Sequence, residues 1–119
     1  MSAARKKVKR KKTPPALADR LKRVVDGLNA LIPRIRNQTK LRALRTRRRE
    51  AFRQWETAMR LNTNGATAEF AAAGKALQAA SREITAAKKD LRRIAKVITA
   101  TAQAVKLADR ALDLALKTM

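Results

Sequence analysis

The sequence predicts an all-α protein: a long antiparallel helical hairpin, coiled-coil-like and kinked near Pro33, behind a disordered basic N-terminal tail. Three observations predict it. Apolar residues recur at steps of three and four through most of the 119 residues. One cluster of turn formers, Asn62, Asn64 and Gly65, divides the chain near its middle. The first twelve residues hold seven Lys or Arg and a single large apolar side chain, Val8, too little to offset their ordering entropy.

Residues 1–13 are therefore expected to form a tail, with Arg5, Lys6, Lys7, Lys9, Arg10, Lys11 and Lys12 available as a nucleic-acid arm or a nuclear localisation signal. Thr13 followed by Pro14 and Pro15 suits a helix start, because a proline in the first turn lacks only an N–H that would have no partner there. The first helix is expected over 14–61. Its early seam reads Leu17, Leu21, Val24, Leu28, Leu31 and Ile35 in heptad steps, and Pro33 should kink or break it near 29–33. Beyond Pro33 the seam slips and resumes as Leu41, Leu44, Arg48, Phe52, Trp55 and Met59, which places Phe52 and Trp55 in the core ahead of the alternative, a base-stacking platform. Arg48, interrupting that seam, must snorkel outward, pair with an acid such as Glu83, or face a groove.

The turn is expected over 62–66, with Thr67 capping a second helix over 67–118. From Phe70 the seam runs Ala73, Leu77, Ala80, Ile84, Ala87, Leu91, Ile94, Ile98, Thr101, Val105, Ala108, Leu112, Ala115 and Met119 without a missed step, which predicts one rod of roughly 75 Å. Directly opposite lie Lys75, Arg82, Lys89, Lys96, Gln103, Arg110 and Lys117, six of the seven basic.

The charge bounds the function. Thirty Lys and Arg stand against nine Asp and Glu, a net of +21, so the body repels itself unless it meets a polyanion. Nucleic acid, DNA ahead of RNA, is the expected partner, with lipid headgroups and acidic proteins behind it. With no Cys and no His, thiol, disulfide, imidazole and Cys/His zinc chemistry are all absent. The nine carboxylates are scattered singly and read as helical ion-pair partners, such as Asp19 with Arg23 or Glu56 with Arg60. No catalytic residue, metal site or cofactor is assigned, and an enzyme is not expected.

The basic candidates cluster. Between residues 34 and 53 stand Arg34, Arg36, Lys40, Arg42, Arg45, Arg47, Arg48, Arg49 and Arg53 against Glu50 alone. A hairpin closed at 62–66 would lay this stretch beside 75–94, which adds Lys75, Arg82, Lys89, Arg92 and Arg93, with Lys96 just beyond. Arginine predominates, and a guanidinium contacts phosphate in a planar, bidentate way that an ammonium does not. Nothing here codes for base sequence, so binding to the phosphate backbone with counterion release is expected. The alternative is a structural or adaptor subunit of a larger assembly, a phage particle, ribonucleoprotein or polymerase complex, docking on an acidic surface.

At the other end, Val25, Ile32, Val97, Ala100, Ala104, Leu107, Ala111, Leu114 and Leu116 make an apolar face wider than two helices can cover. A third helix folding back or a dimeric four-helix bundle would cover it, and a homo-oligomer or protein partner is expected there. No run of 18 apolar residues spans a membrane, and no apolar segment follows the basic start as in a secretory signal. A cytoplasmic, nucleoid-associated or virion-internal location is expected, or a nuclear one in a eukaryote.

Overall fold

The computed structural model describes residues 16–61 and 67–117. The expected tail, the 62–66 turn and Met119 lie outside that range. The described residues are all-α, but each expected long helix is divided near its middle. Helix α1 spans Leu17–Leu31, α2 Gln38–Leu61, α3 Ala68–Lys89 and α4 Ile94–Lys117.

Helix α1 begins later than the Thr13–Pro14 reading implied, with Ala16 extended at the cap position and Asp19 in the first turn. Thr13, Pro14 and Pro15, read as the helix start, lie outside the described residues. The expected seam is buried from Leu17 to Leu31. At Pro33 the helix breaks instead of kinking. A 3₁₀ turn over Ile32–Arg34 gives way to an extended Ile35 at φ −96° and ψ 127°. Asn37 then starts α2, its Oδ1 accepting from the Lys40 N–H at 3.0 Å.

The second break was not expected. Helix α3 opens as read, Thr67 accepting from the Phe70 N–H at 3.2 Å, and buries Phe70, Ala73, Leu77, Ala80, Ile84 and Ala87. It stops at Lys89. Asp90 lies at φ −147° and ψ 98°, and a 3₁₀ turn over Leu91–Arg93 leads into α4. Asp90 Oδ1 accepts from the Arg92 N–H at 3.1 Å, and both carboxylate oxygens accept from the Arg92 guanidinium. Hydrogen bonds from the Arg92 side chain, and then from its backbone, hold the Asp90 carboxyl below its ordinary range. A depressed native carboxyl contributes stability above its unfolded titration and loses it as pH falls. Asp90→Ala is therefore expected to lower the thermal midpoint at neutral pH, a difference that shrinks on acidification; thermal melts of both proteins at two pH values measure it.

Both breaks fold the chain back, so α1 packs on α2 and α3 on α4. The two hairpins then stack, α1 on α3 and α2 on α4. Arg20 reaches the Gly74 carbonyl and Gln78 Oε1 at 3.4 Å, Gly27 abuts Ile84, and Arg34 donates to the Lys88 carbonyl at 2.9 Å. Helices α1 and α3 therefore run in the same direction, and so do α2 and α4. Four helices within one chain cover what a long two-helix hairpin would leave bare. Of the residues read as an exposed partner surface, Val25, Val97, Ala104 and Ala111 are core, Ile32, Ala100 and Leu107 pack against it, and Leu114 is half-buried. Leu116 alone of that set is exposed, at 51%.

Close approach of α1 and α3 depends on Gly27, where an added Cβ would lie 2.7 Å from Ile84 Cγ2. Ile84 is β-branched and cannot swing aside cheaply. At Gly74 the same atom would sit 3.5 Å from Arg20 Nε, at ordinary van der Waals distance. Gly74→Ala is expected to stabilise by about 0.5–1 kcal/mol through helix propensity. Gly27→Ala is expected to destabilise by about 1 kcal/mol net, overpacking exceeding the same gain. Opposite shifts in urea midpoint test the pair.

Candidate nucleic-acid interface

Helix α2 is the most basic element. It carries Lys40, Arg42, Arg45, Arg47, Arg48, Arg49, Arg53 and Arg60 against Glu50 and Glu56. Its inward side is narrow: Leu44, Ala51, Gln54 and Ala58 are buried. Three of these, Leu44, Ala51 and Ala58, repeat every seven residues, the small side chains letting α2 lie close to its neighbours. Gln54 is 6% exposed and donates to the Val105 carbonyl at 2.8 Å and to Asp109 Oδ1 at 2.7 Å, fixing α2 on α4.

With that side inward, Arg42, Arg45, Arg49, Arg53 and Arg60 are exposed. None of the five takes part in an ion pair among the described residues, whose pairs are Lys22–Asp26, Arg47–Glu50, Arg92–Asp90 and Arg93–Glu83. Glu56–Arg60 and Asp19–Arg23, expected as partners, are not among these. Arg47 is half-buried and committed to Glu50. Arg48 is half-buried, and the Glu83 offered to it is taken by Arg93 instead.

The seam through Phe52, Trp55 and Met59 is not where heptad counting placed it. Phe52 is 40% exposed and Met59 57%, while Trp55 is half-buried against the core. The true seam lies about a quarter of a turn away, on the Ala51 and Ala58 side, where small side chains let the helix axes approach. Their seven-residue repeat with Leu44 was the signal available.

A second basic region gathers where both chain reversals meet. Arg34, Arg36, Lys89, Arg92 and Lys96 are exposed there, and Lys40 and Arg93 are half-buried. Arg34 also serves structurally, its guanidinium covering a carbonyl at the end of α3. The expected pairing of 34–53 with 75–94 holds only at its edge, where Arg34 meets the Lys88 carbonyl, since the neighbours of α2 are α1 and α4. The stripe opposite the α3 and α4 seams is exposed throughout, but the break at Asp90 divides it. Lys75, Arg82 and Lys89 lie on one helix, and Lys96, Arg110 and Lys117 on another running the opposite way. The seven basic tail residues from Arg5 to Lys12 lie outside the described residues.

Among the described residues no group of acidic side chains is placed to hold a metal, and no helix is long and apolar enough to cross a membrane. No protein-family model, curated protein or solved structure matches the chain.

Proposed function

We propose that the chain binds nucleic acid without sequence preference, double-stranded DNA above all, through its phosphates. Its role would be compaction, packaging or nucleoprotein assembly in a nucleoid or a virion. The unpaired, exposed arginine row on α2 is the observation that carries this reading. From Arg42 to Arg60 the row extends about 27 Å at 1.5 Å per residue, most of one duplex turn of about 34 Å. Guanidinium groups in such a row meet successive phosphates, and each phosphate neutralised releases condensed counterions.

Fluorescence anisotropy of labelled duplexes of unrelated sequence, titrated from about 50 to 200 mM salt, tests this. Tight, sequence-blind binding is expected, with log K falling against log salt at a slope of about −7 if eight phosphates are engaged. Weak or salt-insensitive binding would overturn it and turn attention to an acidic protein surface, where the chain would act as a structural or adaptor subunit. Removing residues 1–12 is expected to lower duplex affinity and reduce the slope while leaving the thermal midpoint unchanged.

A further inference from the structure

The aromatic pair on α2, an exposed Phe52 and a half-buried Trp55, has no role in phosphate binding. The Phe52 and Trp55 ring centroids lie 5.4 Å apart with the planes inclined at 48°. Spaced three residues apart, they share one flank of the helix, and Met59 extends it by a further turn. Phe70, the remaining aromatic of the chain, is buried at 9% exposure. Two of three aromatics therefore stand together, Phe52 exposed and Trp55 half-buried at the edge of the core, beside the arginine row of α2.

On the arginine side, Arg49 lies three residues before Phe52 and Arg60 five after Trp55, both exposed. An open hollow of about 590 Å³ adjoins Trp55 and Met59, bounded also by Arg53 and Arg60. That volume falls within the range of small-molecule ligand sites. Glu56 is the one acid on this rim. An occupant must present a flat apolar surface to the rings and negative charge to the guanidinium groups. A second copy of the same face fits poorly, because a self-complementary contact would set arginine row against arginine row. A base-paired duplex also fits poorly, because its base faces are already stacked on one another.

We infer that Phe52 and Trp55 form a stacking platform for unpaired nucleobases, with the flanking arginines holding the adjoining phosphodiesters. This rests on the nucleic-acid reading above and adds to it a site for single-stranded segments, such as those at ends, bulges or opened duplex. Base-on-aromatic stacking tolerates any sequence, since every base has a π face. The platform is therefore consistent with an interface that reads no sequence.

Trp55 is the only tryptophan, so its emission reports this site alone. Titration with short oligo-dT is expected to quench Trp55 saturably, whereas a duplex of the same length binds with little change in emission. Phe52→Ala removes an exposed side chain and is expected to retain native helicity. It should weaken oligo-dT binding about five- to a hundredfold while leaving duplex affinity within about twofold. Unchanged Trp55 emission at saturating oligo-dT, or equal losses for single strand and duplex, would overturn the platform and leave the phosphate-binding reading standing. Absence of salt-dependent binding to any nucleic acid would instead overturn that underlying reading. A wild-type dimer that becomes monomeric on Phe52→Ala, seen by light scattering, would assign the face to a second copy of the chain and overturn the platform.

Discussion

Replacing Arg42, Arg45, Arg49 and Arg53 together with Gln is expected to reduce duplex affinity at least about tenfold at low salt and to flatten the salt slope by about 3.6, four phosphate contacts at about 0.9 each. All four side chains are exposed, and none holds an ion pair among the described residues, so the loss should come from binding and not from folding. The thermal midpoint should rise slightly, because four positive charges leave a helix that repels itself. Affinity and stability thus move in opposite directions, which a merely unfolded variant cannot do. The neighbouring Arg47 and Arg48 are less informative targets: Arg47 satisfies Glu50, and Arg48 is half-buried. Anisotropy over a salt series together with a thermal melt gives the result. An unchanged slope would move the site to the tail or to the end where the chain reversals meet.

Leu28→Ala is expected to have the largest effect on the fold, about 3 kcal/mol of destabilisation within the range for buried leucine truncations. Leu28 is fully buried, one residue from the close approach of Gly27 to Ile84. The seams of α2, α3 and α4 rely heavily on alanine, and Leu21, Leu28, Leu31, Leu44, Leu77, Ile84, Val24 and Val97 are the largest fully buried apolar side chains. Val24, one turn before Leu28, and Ile84, which abuts Gly27, are β-branched and stiff, and a close-packed interior closes poorly over a cavity. For a domain of this length the loss corresponds to a fall in midpoint of roughly 10–20 °C. A fall of only a few degrees would mean that the stacked hairpins relax into the space.

Most of the helix content and much of the core could be read from spacing alone. The seams of α1 and α3 are buried as expected, and of α4 Ile94, Thr101, Val105, Ala108 and Leu112 are buried from the same pattern. The break at Asp90 escaped because the pattern does not change across it. Ala87, Leu91 and Ile94 keep steps of four and three, yet Leu91 and Ile94 turn inward from a corner as readily as from a continuous helix. What marked the corner was local chemistry, Lys88 and Lys89 at a helix C-terminus followed by an aspartate able to cap what comes next. Pro33, which has no backbone N–H to give, announced an interruption there, though not whether the helix would kink or break. The arginine row was legible because exposed basic residues at steps of three and four need no partner helix to define them. The aromatic pair was not, because heptad counting prefers large side chains at the seam and cannot sense that Ala51 and Ala58 bring the axes together.

The parallel stacking of the two hairpins has a mechanical consequence. Arg20 with Gly74, Arg34 with Lys88 and Gln54 with Asp109 join residues 54 to 55 positions apart in the chain, so one hairpin lies over the other in nearly constant register. Between α2 and α4 the seam is lined largely with alanine, a surface with shallow notches along which two plates can slide. These three polar contacts act as dowels across the plane of slip, two near opposite ends of α1 and α3 and one between α2 and α4. A polyanion pulling along the α2 row would load that plane in shear, and Gln54, the buried dowel beneath the row, would carry the strain first.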